Sequence, residues 1–593
     1  MILQALYEYY QRKTRELPKP GFENKEIPFV IVLDRDGNFI DLEDRRDHEG
    51  KKKHSRPVWV PKSKIRSGSK AYEKPNMLWD HYGFVLGAPK KEKPDQEPTD
   101  KAILDATKQH HSFMRSVCEL ADCLPSDEGV QALKKFLDKA EFNSVFSHPL
   151  WSECEKIKGC NLSFRLNDQS ELICQSKQVI DYVESMELQE NEGVAGHCLV
   201  TGKVAPIAKL HFPISHVGQK PAPLAAINSP AYESFGKEKG FNFPVSNEAN
   251  FAYTTALNHL LRKDSPQRLQ VGDASTIFWA ERRTDMETGV IDIFGEPPKD
   301  DPGRNTEKVA ALYKSIHHGR YVGDDADDRF YVLGLAPNAA RIAVRFWHVT
   351  TVGELAQCIV QHFEDIRIIT NTPSDSNFLP LPELLRATAR KGKTKSDTDS
   401  NIQPRLAGET LRAILEGLPY PRTLLAAAVQ RCRAEREITY PRAALIKGCI
   451  NRSTRYSNPD LKEELKVSLD PDNRNPGYRL GRLFALLEYV QQKALGKDIN
   501  ATIRDRFYGA ASTTPKAVFS TLIKLSMNHL GKLDNPTWYE RKMGEIIDGI
   551  GDCPAHLSLE DQCRFAIGYY HQRQDFFKKR DTESETTTQG DEQ

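Results

Sequence analysis

The chain has 593 residues, with 83 Lys and Arg against 82 Asp and Glu, a formal charge of +1. That length suggests about three or four domains, its 39% hydrophobic content gives ample core, and no apolar run approaches the roughly 18 residues of a membrane helix. So near-neutral a total excludes any argument for nucleic-acid binding from overall charge and leaves only local patches.

In chain order, MILQALYEYYQRK reads as an amphipathic helix, not a signal peptide. FVIVLDRDGNFIDLE, residues 29–43, reads as two short strands around Asp36-Gly37, a hairpin. Residues 44–75 are polar and basic, 76–87 return to an aromatic, apolar pattern, and 89–99 form a Lys/Pro/Asp-rich linker. Residues 100–140 have helical periodicity, and 160–230 carry short strand-like signals broken by Gly and Pro. A helix is expected over 251–261, strands over 269–280 and 329–347 with a polar, acidic region between them, and a helix over 351–365. KGKTKSDTDSN, within 391–404, reads as a polar linker. The predicted class is α+β. A mixed N-terminal body with short β-strands fills 1–390, an all-α C-terminal portion fills 405–580, and residues 581–593 form a disordered tail. The eleven cysteines are scattered without a CxxC pair, which points to reduced thiols in a cytoplasmic protein.

Two stretches concentrate positive charge. From Arg45 to Lys74 there are eleven cations against three acids, a balance of +8, with Trp59, Tyr72 and Trp79 interleaved. Pro57, Pro61, Gly68 and Pro75 argue against regular structure there. Such a loop suits a DNA duplex: cations take phosphates, polar side chains read base edges, and a planar ring wedges an opened step. The candidate contacts are Lys51, Lys52, Lys53 and Arg56, with Lys62, Lys64, Arg66, Ser67, Lys70 and Asn76 chosen because they flank the RSG block, which resembles that of a known family. A second candidate is Pro213–Asn228, where Gly218 lets a backbone approach closely and Gln219 could enter a minor groove. Asn228 and Asn242 are further candidates, or simply tie turns together.

The other basic stretch is 471–532, with ten cations against four acids, a balance of +6. In its first helix Leu480, Leu483, Phe484, Leu487, Val490 and Ala494 form an apolar stripe. Arg479, Arg482, Lys493 and Lys497 form a basic stripe beside it. With Arg504 and Arg506 they are candidates for phosphates of a single strand, unless Asp505 pairs with a neighbouring arginine. A second helix starts near Pro515 with Thr513 or Thr514 as cap and Val518, Leu522, Leu525 and Leu530 as its apolar face.

Catalytic signals are weak. Asp34 and Asp36 fail as a calcium loop, which would need Gly at Phe39 and Glu at Arg45. GHCLVTGKV has the wrong spacing for a phosphate loop, and the pairs His110-His111 and His317-His318 diverge on any regular element. No catalytic residues, cofactor or metal are expected.

YRLGRLFALLE, NATIRDRFYGAASTTP and NHLGKL resemble the C-terminal signature of the large subunit of type I-C CRISPR Cascade, the Csd-type large-subunit family. RSGSKAYEKPNMLWDHYGFVLG resembles that family's first block, and HCLVTGKVAPI, AAINSPAYESFGKEKGFNFPVS and ALNHLL its second. VGDASTIFWAE and RFYVLGLAPNAARIAVRFW resemble its third, so the likeness runs from about residue 27 to 533. It implies a non-enzymatic subunit of an RNA-guided complex in antiviral defence, with a bundle like the complex's small subunit from about residue 470. Such a subunit reads a protospacer-adjacent motif (PAM), helps open the duplex to an R-loop, and recruits the helicase-nuclease. The implied partners are CRISPR RNA, target double-stranded DNA and its displaced strand, and the backbone, guide-processing and small subunits. The alternatives are a metal-dependent nuclease acting alone and a purely structural scaffold.

Overall fold

The computed structural model describes residues 1–46, 55, 57–64, 66, 70–90, 97–190, 193–227, 229–296, 301, 304–317, 326–372, 378–461, 463–496 and 501–577. They form two compact units: 1–214 with 223–259, and 215–222 with 260 onward. Every described strand lies at or before Thr351, and the described elements beyond it are helices. The class is therefore α+β, as the pattern predicts.

In the first unit the run FVIVL forms strand Phe29–Leu33, buried along its whole length. An unbroken apolar run suits a central strand covered on both faces. It pairs antiparallel with Phe39–Asp44 and parallel with Asn161–Leu166, which carries Trp79–His81 on its other side. The hairpin turns at Gly37, whose φ of +75° suits a residue without Cβ. Thr99 and Asp127 cap helices Asp100–Cys123 and Glu128–Lys139. Those helices pack Phe113 and Phe136 against Phe164 of the sheet.

Some local expectations fail. The basic segment is not irregular throughout, because Pro57–Pro61 pairs with Phe22–Glu26. Its prolines sit at the two ends of an edge strand, where a missing N–H is tolerated. Residues 160–230 also hold a helix, Lys177–Glu190, since Val179, Ile180 and Val183 share one helical face. The polar region between the later strands contains helices Met286–Phe294 and Arg304–His317. The stretch expected as a polar linker holds helix Lys395–Ser400, with a Thr394/Asp397 capping box and an Arg386–Asp399 ion pair.

In the second unit Arg268–Val271, Ala274–Ala280, Arg329–Asn338 and Arg341–Thr351 form an antiparallel meander. One apolar core runs from this sheet through the helices to Tyr570. Its densest packing joins helices Pro476–Leu495 and Leu559–Phe576. A Cβ on Gly481 would lie 2.0 Å from Phe565 O, and one on Gly568 would lie 2.0 Å from Tyr478 O. Gly477 and Gly481 are four residues apart, so one bare face of the helix admits its partner's backbone.

Gly481→Ala should therefore destabilise the protein by about 3 kcal/mol, measured by urea unfolding. Gly509→Ala, where a Cβ meets nothing within 4 Å, should be neutral or stabilising. Burial pushes the imidazole of His571 down to about 3, with the Tyr478 hydroxyl 2.9 Å from Nδ1. Below the ordinary value of 6.5 the unfolded chain binds the proton and the folded chain does not. Stability contributed above pH 6.5 is thus lost as pH falls toward about 3, by about 2 kcal/mol at about pH 5. His571→Gln should flatten this acid limb in melts run across pH.

Candidate nucleic-acid interface

The N-terminal loop is organised by a carboxylate. Asp80 is 1% exposed on its short strand, and its two oxygens face the Arg66 guanidinium, with Arg66 Nη1 donating to Oδ1 at 3.0 Å. Arg66 Nε donates to Lys74 O at 2.8 Å, and the guanidinium lies 4.1 Å over the Phe84 ring. Asn76 donates its backbone N–H to Asp80 Oδ2 at 2.9 Å and accepts the Lys64 N–H on Oδ1 at 3.0 Å. One buried acid therefore holds both Arg66 and Asn76, and Asn76 in turn holds Lys64. A desolvated carboxylate is tolerable only with this many donors.

The predicted contacts divide accordingly. Arg66 and Asn76 build the loop and do not lie free at its surface. Asn76 is buried. Lys62 pairs with Glu187 at 3.0 Å and sits 4.9 Å over the Phe212 ring. Lys64 and Lys70 are exposed. Lys51, Lys52, Lys53, Arg56 and Ser67 lie outside the described residues. Of the aromatic wedges, Trp79 is buried and donates Nε1–H to Pro61 O at 2.8 Å, while Tyr72 lies beneath Lys108. Asp80 escaped the sequence reading, although an acid inside NMLWDHYG is the residue that must be paired if buried.

Gly218 and Gln219 belong to the second unit and are both exposed. Among the described residues nothing demands glycine at 218, where a Cβ would meet Pro337 Cβ at 3.5 Å and Lys220 O at 3.7 Å. The left-handed residue of this loop is His216, φ +67°, whose carbonyl accepts from Arg268 Nη2 at 3.2 Å. Asn228 lies outside the described residues. Asn242 does tie a turn, as its hydrogen bonds to Ser234, Lys237 and Lys239 show. GHCLVTGKV is a β-hairpin, with Gly196 opposite Ala205.

The exposed basic stripe expected on helix Pro476–Leu495 does not form. Arg479 is 8% exposed and Arg482 2% exposed. Arg479 donates from Nε to Asn473 O at 2.7 Å and from Nη1 to Glu545 O at 3.2 Å, capping the end of helix Thr537–Asp548. Arg482 donates to Gln572 Oε1 at 3.1 Å and Pro471 O at 3.2 Å, and burial holds its guanidinium below the ordinary value. The helix is buried along most of its length, and its exposed residues lie near its C-terminal end. Arg504 faces the buried Glu488 at 3.5 Å. Asp505 forms a capping box with Thr502. Lys493, 5.3 Å over Tyr489, and Arg506 are exposed, and Lys497 lies outside the described residues.

Asp34 accepts hydrogen bonds from the Asp36 and Asn38 N–H groups at 2.9 and 2.8 Å, a turn-forming role. Among the described residues no group of three His, Cys, Asp or Glu is placed to hold a metal, and no helix is long and apolar enough to cross a membrane.

Asp80→Ala should cost about 2–3 kcal/mol, because Arg66 and the Asn76 N–H lose their acceptor. It should also speed tryptic cleavage within 64–74. Lys64→Ala should leave the melting curve within about 0.5 kcal/mol of wild type.

No curated protein matches the chain. The family model described as CRISPR-associated protein (Cas_Csd1) matches residues 6–577. That span takes in both compact units, the Asp80-anchored loop and the glycine-packed helices, so the chain belongs to the Cas_Csd1 family of CRISPR-associated proteins.

Proposed function

We propose that the protein is the non-catalytic large subunit of a type I-C Cascade, a CRISPR RNA-guided surveillance complex. It reads the PAM in double-stranded DNA, aids duplex opening, stabilises the displaced strand and recruits the helicase-nuclease. Guide-RNA pairing supplies the remaining sequence specificity. The observation that carries this reading is a family match over residues 6–577 on a chain whose N-terminal unit exposes Lys64 and Lys70 near the Asp80-anchored Arg66 and Asn76. Exposed lysines beside a duplex contribute counterion release.

Lys64 and Lys70 are assigned to phosphates of the PAM duplex and Gln219 to the opened step. Lys493 and Arg506 are assigned to the displaced strand. Arg479 and Arg482 are not assigned to DNA, and their burial gives them a structural role inside the C-terminal bundle.

The test is binding of the assembled complex to matched duplexes with the PAM randomised. Lys64→Ala and Lys70→Ala should each weaken all targets several-fold and lower the salt slope by about one. Gln219→Ala should reduce PAM discrimination. Unchanged target binding with both lysines and Gln219 removed would overturn the DNA-reading role and leave the scaffold reading. Magnesium-dependent cleavage by the purified chain, lost on Asp34→Asn, would replace both with a nuclease.

A further inference from the structure

The segment Ser229–Pro244 carries a feature that packing does not explain. Ser234 and Lys237 form an isolated antiparallel bridge, with the Lys237 N–H donating to Ser234 O at 3.0 Å. The two residues between them, Phe235 and Gly236, have φ of +54° and +65°. A two-residue turn with both central residues left-handed favours Asn, Asp or Gly at the first position. A phenylalanine there is an outlier, because its Cβ crowds the backbone. Phe235 is also 98% exposed, so burial of its ring does not offset that conformation. An exposed ring held in an unfavourable conformation points to a task outside the chain.

The surroundings impose the conformation. Asn242 Oδ1 accepts the Ser234 N–H at 2.9 Å, and its Nδ2 donates to Lys237 O at 2.6 Å and Lys239 O at 3.0 Å. The Gly240 N–H donates to Lys209 O at 3.1 Å, and a Cβ on Gly240 would lie 2.2 Å from Ala208 O. The base of the turn is thus clamped to the 208–209 segment, and the ring projects from a rigid mount.

We propose that Phe235 is a stacking wedge for an unpaired nucleic-acid base, with Lys237 and Lys239 taking the flanking phosphates. The neighbours favour this occupant over a protein pocket. Lys237 and Lys239 are exposed beside the ring, Tyr232 offers a second exposed ring, and of the two nearby acids Glu238 lies 3.8 Å from Lys209. Aromatic faces tolerate any base, and lysines supply the backbone contacts. The proposal rests on the nucleic-acid reading above and adds to it a residue that meets the opened strand.

The test uses the full chain with two probes: a fully paired duplex, and the same duplex with an internal bubble carrying 2-aminopurine. Wild type should prefer the bubble and change its fluorescence. Phe235→Ala should bind the bubble about tenfold more weakly and lose the fluorescence change. Its affinity for the paired duplex and its melting curve should stay unchanged. Phe235→Trp should restore the preference, and Asn242→Ala, which frees the mount but keeps the ring, should lose part of it. Equal bubble preference in wild type and Phe235→Ala, with duplex binding intact and still sensitive to Lys64→Ala, would overturn the wedge alone. Binding of neither probe by wild type would count against the nucleic-acid reading as well. Unchanged nucleic-acid binding by Phe235→Ala with loss of co-assembly would overturn the proposal and assign the tip to a protein partner.

Discussion

The C-terminal helices depend on the contact between Pro476–Leu495 and Leu559–Phe576, where backbone meets backbone through Gly477, Gly481 and Gly568. Helices that approach this closely bury much of their own main chain and leave no room for an intervening side-chain layer. The helix bearing Gly481 is then buried along most of its length. Its polar residues must find partners inside, which is why Arg479 caps the carbonyl end of a neighbouring helix and Arg482 reaches Gln572. The same helix buries Glu488 with the Tyr569 hydroxyl and Arg504 around it. Most of the charge on this helix is therefore spent on internal cohesion.

The first unit solves a smaller version of the same problem. Asp80 is buried beside a strongly polar stretch of chain, and its hydrogen bonds hold Arg66 and Asn76 in place. The consequence is a division of labour among residues of like type. Arg66 and Lys62 are drawn inward by acids and aromatic faces, while Lys64 and Lys70 remain outside. Proximity in sequence to a basic run does not decide which cation faces a partner.

Much of the fold was legible beforehand. The hairpin at Gly37, the helices over 100–139 and 352–366, the paired strands over 268–351 and the helical C-terminal portion follow from apolar periodicity and turn residues. The failures have physical causes. The helix at 177–190 was hidden among strand-like neighbours. The short helix at 395–400 depends on a capping box and an ion pair made across a turn, not on an apolar stripe. Which candidate residues are exposed was not legible, because the burial of Asn76, Trp79, Arg479 and Arg482 is settled by contacts that a run of letters does not display.

Composition and local pattern determined by themselves that this is an α+β protein without a membrane-length apolar run, and that its charge is concentrated in two stretches. The order of its motifs was enough to place it in its family. Only the tertiary structure decided which charges are structural, since a guanidinium's role depends on whether carbonyls and carboxylates from elsewhere in the chain surround it. Only the tertiary structure, likewise, singled out Phe235, because exposure and a left-handed backbone are properties of how the turn is clamped, not of the letter at that position.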